Sequence, residues 1–93
     1  MLSLSSVIQR QENYVETELD DEIIVMHVCS GNLIGFADSA KAIWAQISKP
    51  ILFGEIIDRL LEQFDIERDA CVAEVGPFLT ALEEEGLIKI THS

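Results

Sequence analysis

The chain has 93 residues, 48% of them apolar, with 17 acidic against 6 basic side chains and a formal net charge of -11. One small domain spanning 1–93 can build a packed core from that composition, so wholesale disorder is excluded. The charge repels polyanions, which excludes nucleic acid and anionic lipid and favours a basic or neutral partner. No apolar run approaches the ~20 residues of a membrane span. The N-terminal ten residues lack the basic and apolar regions of a secretory signal, so the cytoplasm is the expected location.

Residues 1–11 are polar with scattered aliphatics and read as a loosely held arm. Tyr14 to Leu19 alternates, with Val15, Thr17 and Leu19 pointing one way and Tyr14, Glu16 and Glu18 the other. That is the pattern of a half-buried strand. Asp20-Asp21 is a turn, and Glu22 to Val28 is a β-branched run suited to a central strand. Ser30-Gly31-Asn32 turns the chain into a short third strand, Asn32 to Phe36. Three short strands joined by tight turns make an antiparallel meander.

Period 2 then gives way to period 3.6. Asp38 reads as the N-cap of a helix whose apolar stripe is Ala40, Ile43, Trp44 and Ile47. Lys49-Pro50 stops it. Phe53, Ile56, Ile57, Leu60, Leu61 and Phe64 mark a second amphipathic helix, Phe53 to Phe64. Arg68 to Glu85 is a third, with Cys71, Val75, Phe78 and Leu82 in its stripe and Gly86 as its C-terminal stop. Pro77 lies inside it, and because the stripe stays in phase a kinked but nearly continuous helix is expected. Leu87 to Ile90 reads as a short closing strand or an extended tail. The expected fold is therefore α+β, winged helix-turn-helix-like, a three-stranded meander followed by three helices.

Catalytic chemistry is not written in this chain. No phosphate-binding glycine loop, dinucleotide fingerprint, zinc-protease helix, nucleophile elbow or Cys-x-x-Cys occurs. His27 and His92 are lone histidines, and Ser5, Ser6, Ser30, Ser39 and Ser48 have no His or Lys neighbour that would make any of them a nucleophile. Cys29 and Cys71 lack metal-ligand spacing and read as buried thiols rather than a disulfide. No enzyme, catalytic residue, metal or cofactor is expected. The third strand is the more informative feature. Asn32, Leu33, Ile34, Gly35 and Phe36 carry no charge, and an uncharged edge is covered, paired in a dimer, or open to strand addition by a peptide.

The order of these elements resembles the PqqD-like family, also called RiPP recognition elements. The resembling residues are Gly31 and Leu33 to Phe36, Ala42-Ile43-Trp44, Pro50, Glu55-Ile56, Leu60, Asp69, Cys71, Val75, Phe78-Leu79, Leu82 and Gly86-Leu87-Ile88. Pro50 and Cys71 are similar to the lasso-peptide branch. The resemblance implies a stand-alone, non-catalytic domain that binds the leader region of a ribosomal precursor peptide. It would deliver that peptide to a separate cysteine-protease-type leader peptidase or other modifying enzyme. The peptide would add as a strand to Asn32–Phe36, against a third-helix wall of Cys71, Val75 and Phe78, with Asp69 and Glu74 meeting a basic residue. The chain departs from the family in having Leu52-Phe53 where a Ser or Thr often caps the second helix, and in Gly76-Pro77. Two rivals stand beside this reading. A DNA-binding winged helix fails because the third helix offers only Arg68 among acids. An acidic interaction or regulatory protein binding a folded partner is the alternative.

Overall fold

The structure, a computed structural model, describes residues 2–92. Six strands and three helices follow one another as β1 (Val7–Arg10), β2 (Tyr14–Leu19), β3 (Glu22–His27), β4 (Leu33–Phe36), α1 (Asp38–Gln46), β5 (Ile51–Leu52), α2 (Phe53–Gln63), α3 (Arg68–Glu84) and β6 (Ile88–Thr91). The strands form two three-stranded sheets, ordered β2-β3-β4 and β5-β1-β6. The fold is α+β, and the meander with its three following helices is present.

The second sheet is the main correction. Part of the segment read as a loose arm is its middle strand. Val7–Arg10 pairs antiparallel with β5 through Val7↔Leu52 and Ile8↔Ile51, and with β6 from Val7↔Thr91 to Arg10↔Ile88. Ile8 is wholly buried. Four residues with two aliphatics show no usable periodicity, and both partners lie far along the chain. The same segment explains the missing side-chain cap on α2. The Ser6 and Leu4 carbonyls accept the Phe53 and Gly54 N–H groups at 2.9 and 3.0 Å, satisfying two of the helix's free donors. A Cβ on Gly54 would stand 3.2 Å from the Leu4 oxygen.

Pairing across β2-β3-β4 fixes the faces, because residues opposite one another share a side. The register runs Tyr14↔His27 to Leu19↔Glu22 and Met26↔Leu33 to Ile23↔Phe36. The inner face therefore carries Tyr14, Ile23, Val25, Ile34 and Phe36. The outer face carries Val15, Thr17, Leu19, Glu22, Ile24, Met26, Leu33 and Gly35. The alternation expected in β2 holds, but its apolar side is the solvent side: Val15 and Leu19 are exposed while Tyr14 is half-buried. Tyr14 turns inward because its ring meets Trp44 edge-on at 5.3 Å, and Glu16 follows it to pair with Arg10 at 3.2 Å.

Trp44 is the centre of the core, fully buried, with Phe36 5.2 Å away and Phe78 5.7 Å beyond Phe36. Its stripe-mates Ile43 and Ile47 are buried beside it. The α1 N-cap is Ala37, not Asp38. The Ala37 carbonyl accepts the Ala40 and Lys41 N–H groups, while Asp38 is the first helical residue and adopts φ +52°. Asp tolerates that left-handed conformation better than most residues, at some cost in strain. α3 runs unbroken through Pro77. Gly86 follows it at φ +78°, where a Cβ would lie 3.1 Å from His27 Nε2. The closing segment is a strand, β6, and it joins β1 rather than the meander.

Candidate peptide-binding site

The turn before β4 is built by side chains. His27 Nδ1 accepts the Cys29 and Ser30 N–H groups, each at 3.2 Å, and Ser30 Oγ accepts the Asn32 N–H at 3.2 Å. Gly31, at φ +75°, donates its N–H to the His27 carbonyl at 2.8 Å. On the other side of the ring, His27 Nε2 lies 3.1 Å from the Asn13 side-chain amide nitrogen. These bonds release the chain into β4 in a fixed register.

That register determines which backbone groups are free. The Val28 N–H donates to the Asn13 carbonyl, which phases β3 so that residues 22, 24 and 26 bond β2 and residues 23, 25 and 27 bond β4. The His27 N–H to Asn32 carbonyl bond at 3.0 Å has the same phase. Ile34 and Phe36 therefore turn their N–H and C=O groups inward, to Val25 and Ile23. Leu33 and Gly35 turn theirs outward. Among the described residues no strand pairs with that outer edge. β4 thus offers two outward donors and two outward acceptors in an uncharged stretch.

α3 forms the opposite wall. Asn32 Nδ2 donates to Glu85 Oε2 at 3.3 Å at one end, and Phe36 meets Phe78 edge-on further along. Beyond Phe36 the chain enters α1, and there the wall opens into a hollow of about 250 Å³ between α1, the end of α2 and the first half of α3. Of the residues expected from sequence, Cys71, Glu74, Val75 and Phe78 line it. Cys71 and Val75 are floor, only 2% and 4% exposed, so the stripe expected as groove wall is largely core. Phe78 is half-buried and Glu74 exposed at the rim. Asp69 is exposed in the first turn of α3 and is not brought into the hollow. Phe36 is core, 1% exposed, and Ile34 is half-buried against it, so both contribute position rather than contact. Asn32, Leu33 and Gly35 are exposed.

The remaining lining went unread from sequence: Ser39, Ala40 and Ile43 from α1, Leu60 and Phe64 from α2, and Ile66 from the connector. The available signal was Phe64 and Ile66, apolar residues flanking a helix end with no helical neighbour to bury them. Burial pushes the Cys71 thiol above its ordinary 9.0, Glu74 adds to the shift, and Arg68 opposes it. The thiol stays protonated and apolar at neutral pH, which keeps the floor of the hollow uncharged. No group of His, Cys, Asp or Glu among the described residues is arranged to hold a metal ion. No helix among them is long and apolar enough to cross a membrane.

Residues 22–88 match the family described as coenzyme PQQ synthesis protein D (PqqD). The chain belongs to the PqqD family. The matched span begins at β3 and ends at the start of β6, so it holds the edge strand and the hollow and leaves out β1 and β2. Among solved structures, the PqqD-family fold seen here is similar to that of TbiB1 in complex with the TbiA(beta) leader peptide. The TM-score is 0.80 at 22% identity, over 87% of this chain and 94% of that one. No curated protein matches the chain.

Proposed function

We propose that this PqqD-family chain is a non-catalytic adaptor. It captures the leader region of a ribosomal precursor peptide by strand addition at β4 and delivers it to a separate processing enzyme, such as a cysteine-protease-type leader peptidase. The observation that carries this reading is the open β4 edge, with the Leu33 and Gly35 backbone groups facing outward, running into an apolar hollow beside α3. A peptide antiparallel to β4 enters over the hollow and leaves past Asn32 and Glu85. An apolar side chain fills the hollow, and Glu74 meets a basic group at its rim. A solved structure of the same fold, described as a complex with a leader peptide, supports the reading. The alternative, a folded partner, is favoured by one observation: Val15, Leu19, Met26 and Leu33 are exposed together on the outer sheet face.

The test uses synthetic peptides covering the N-terminal part of each short open reading frame beside the gene. Leu33→Pro removes an outward N–H and Ile34→Pro an inward one. Leu33→Pro should abolish peptide binding and leave the thermal melt almost unchanged, whereas Ile34→Pro should damage the sheet itself. Hydrogen-exchange protection gained at Leu33 and Gly35 on adding peptide supports strand addition. Protection confined to β2 or α2 refutes it.

A further inference from the structure

Nothing in the fold of the chain requires position 35 to be glycine. Its backbone is not in the left-handed region, unlike Gly31 and Gly86. A Cβ placed there meets Ile24 Cδ1 at 3.4 Å and Glu22 Oε2 at 3.6 Å, ordinary van der Waals contacts. A glycine inside a strand weakens it, and commonly marks close approach by a ligand or another backbone. Gly35 also sits where the β4 backbone faces outward. On the outer face its missing side chain leaves a slot with Ile24 as the floor, Leu33 on one side and the Glu22 carboxylate at the rim.

Neighbouring strands lie ~4.8 Å apart. A residue of an added strand opposite Gly35 projects on the same outer face, one spacing from the glycine and two from Ile24. A short side chain leaves the slot open. A tyrosine or tryptophan ring lies across the glycine, packs on Ile24, and brings its O–H or N–H to the Glu22 carboxylate. Covering an edge glycine with an aromatic ring from the next strand is a recurrent stabilising device in sheets.

We propose that the Gly35 slot reads a tyrosine or tryptophan of the captured peptide, at the position paired with Gly35 and on the sheet face opposite α3. The proposal rests on strand addition at β4 and gives that site a second specificity element, on the other face from the hollow. Peptide side chains alternate, so one residue reads the slot while its neighbours face α3.

The experiment selects a randomised 12-residue peptide library on the whole chain, wild type, Gly35→Thr and Gly35→Ala. Threonine fills the slot and raises strand propensity, and the alanine variant carries the test should threonine impair folding. Wild type should enrich tyrosine or tryptophan about threefold to tenfold at one fixed position of the consensus. That enrichment should fall towards library level in the variants, with the preferences at the α3-facing positions retained. A consensus without an aromatic position, or equal aromatic enrichment in all three proteins, overturns the slot. Selection of no peptide, or of peptides that leave Leu33 and Gly35 unprotected in hydrogen exchange, overturns strand addition and the slot with it.

Discussion

The Arg10 guanidinium lies 4.0 Å over the Trp44 ring, donates to the Trp44 carbonyl and, at 3.1 Å, to the Tyr14 hydroxyl, and pairs with Glu16. It ties β1 of one sheet to β2 of the other and to α1. Lysine supplies one point charge where the planar fork serves several partners and stacks at once. Arg10→Lys should therefore cost about 1.5–3 kcal/mol, read as a lowered melting temperature. A second residue-scale expectation concerns pH. The unfolded chain releases the Cys71 proton at about the ordinary 9.0, whereas the folded chain holds it to higher pH. The unfolded state then binds fewer protons, so stability should fall as pH rises above that value. Cys71→Ser should flatten that alkaline slope, measured by denaturant titration across pH. The core of α1 was legible at this scale, since Trp44 and Ile43 declare themselves by period, whereas Phe36, expected at the groove, is core. Arg10 was not, because its aromatic partner lies far along the chain and only the fold brings them together.

Among the elements, α3 carries an internal cost. Pro77 has no N–H to give the Ala73 carbonyl, and Gly76 precedes it, yet the helix is continuous. One turn further on, Thr80 Oγ1 donates to the Gly76 carbonyl at 3.1 Å, which leaves the Ala73 carbonyl as the acceptor the proline deprives. Pro77 is exposed. Pro77→Ala should stabilise the protein by about 1–2 kcal/mol, less than the full cost of an interior proline because the unfolded chain gains freedom. An unchanged or lowered melting temperature would show that the ring's own packing outweighs the lost bond. The meander and helices were readable because each shows its own period over six residues or more, or is bounded by turn residues. The side of β2 that is buried was not, since Val15, Thr17 and Leu19 have the better apolar pattern and Tyr14 decides the matter through one contact with Trp44. The groove was half legible: the uncharged edge is a sequence property, but the hollow needs α1, α2 and α3 together. A stripe at helical spacing does not say which of its members reach the surface.

At the scale of the whole molecule, residues 2–10 are part of the fold. Deleting them removes the middle strand of one sheet and the two carbonyls that cap α2. The truncated chain should lose its cooperative thermal transition, followed by circular dichroism. A sharp melt after truncation would mean that β5 and β6 need no partner. This strand escaped the sequence reading for a general reason. Its pairing with β6 is the least local in the protein, and period-based reading sees only neighbours.

The same pairing has a topological outcome. Val7 lies opposite Thr91 and Ser6 Oγ lies 3.1 Å from His92 Nδ1, so the chain enters β1 beside the point where it leaves β6. Before Ser6 the chain runs on across α2, where the Leu4 carbonyl accepts the Gly54 N–H, and Leu2 reaches α3 beside Gly76. For an adaptor the outcome is practical. An enzyme fused after β6 hangs beside the β1–β6 corner, whereas one fused before residue 2 hangs from the side of α3 near Gly76, so gene order in a fusion changes where the enzyme sits.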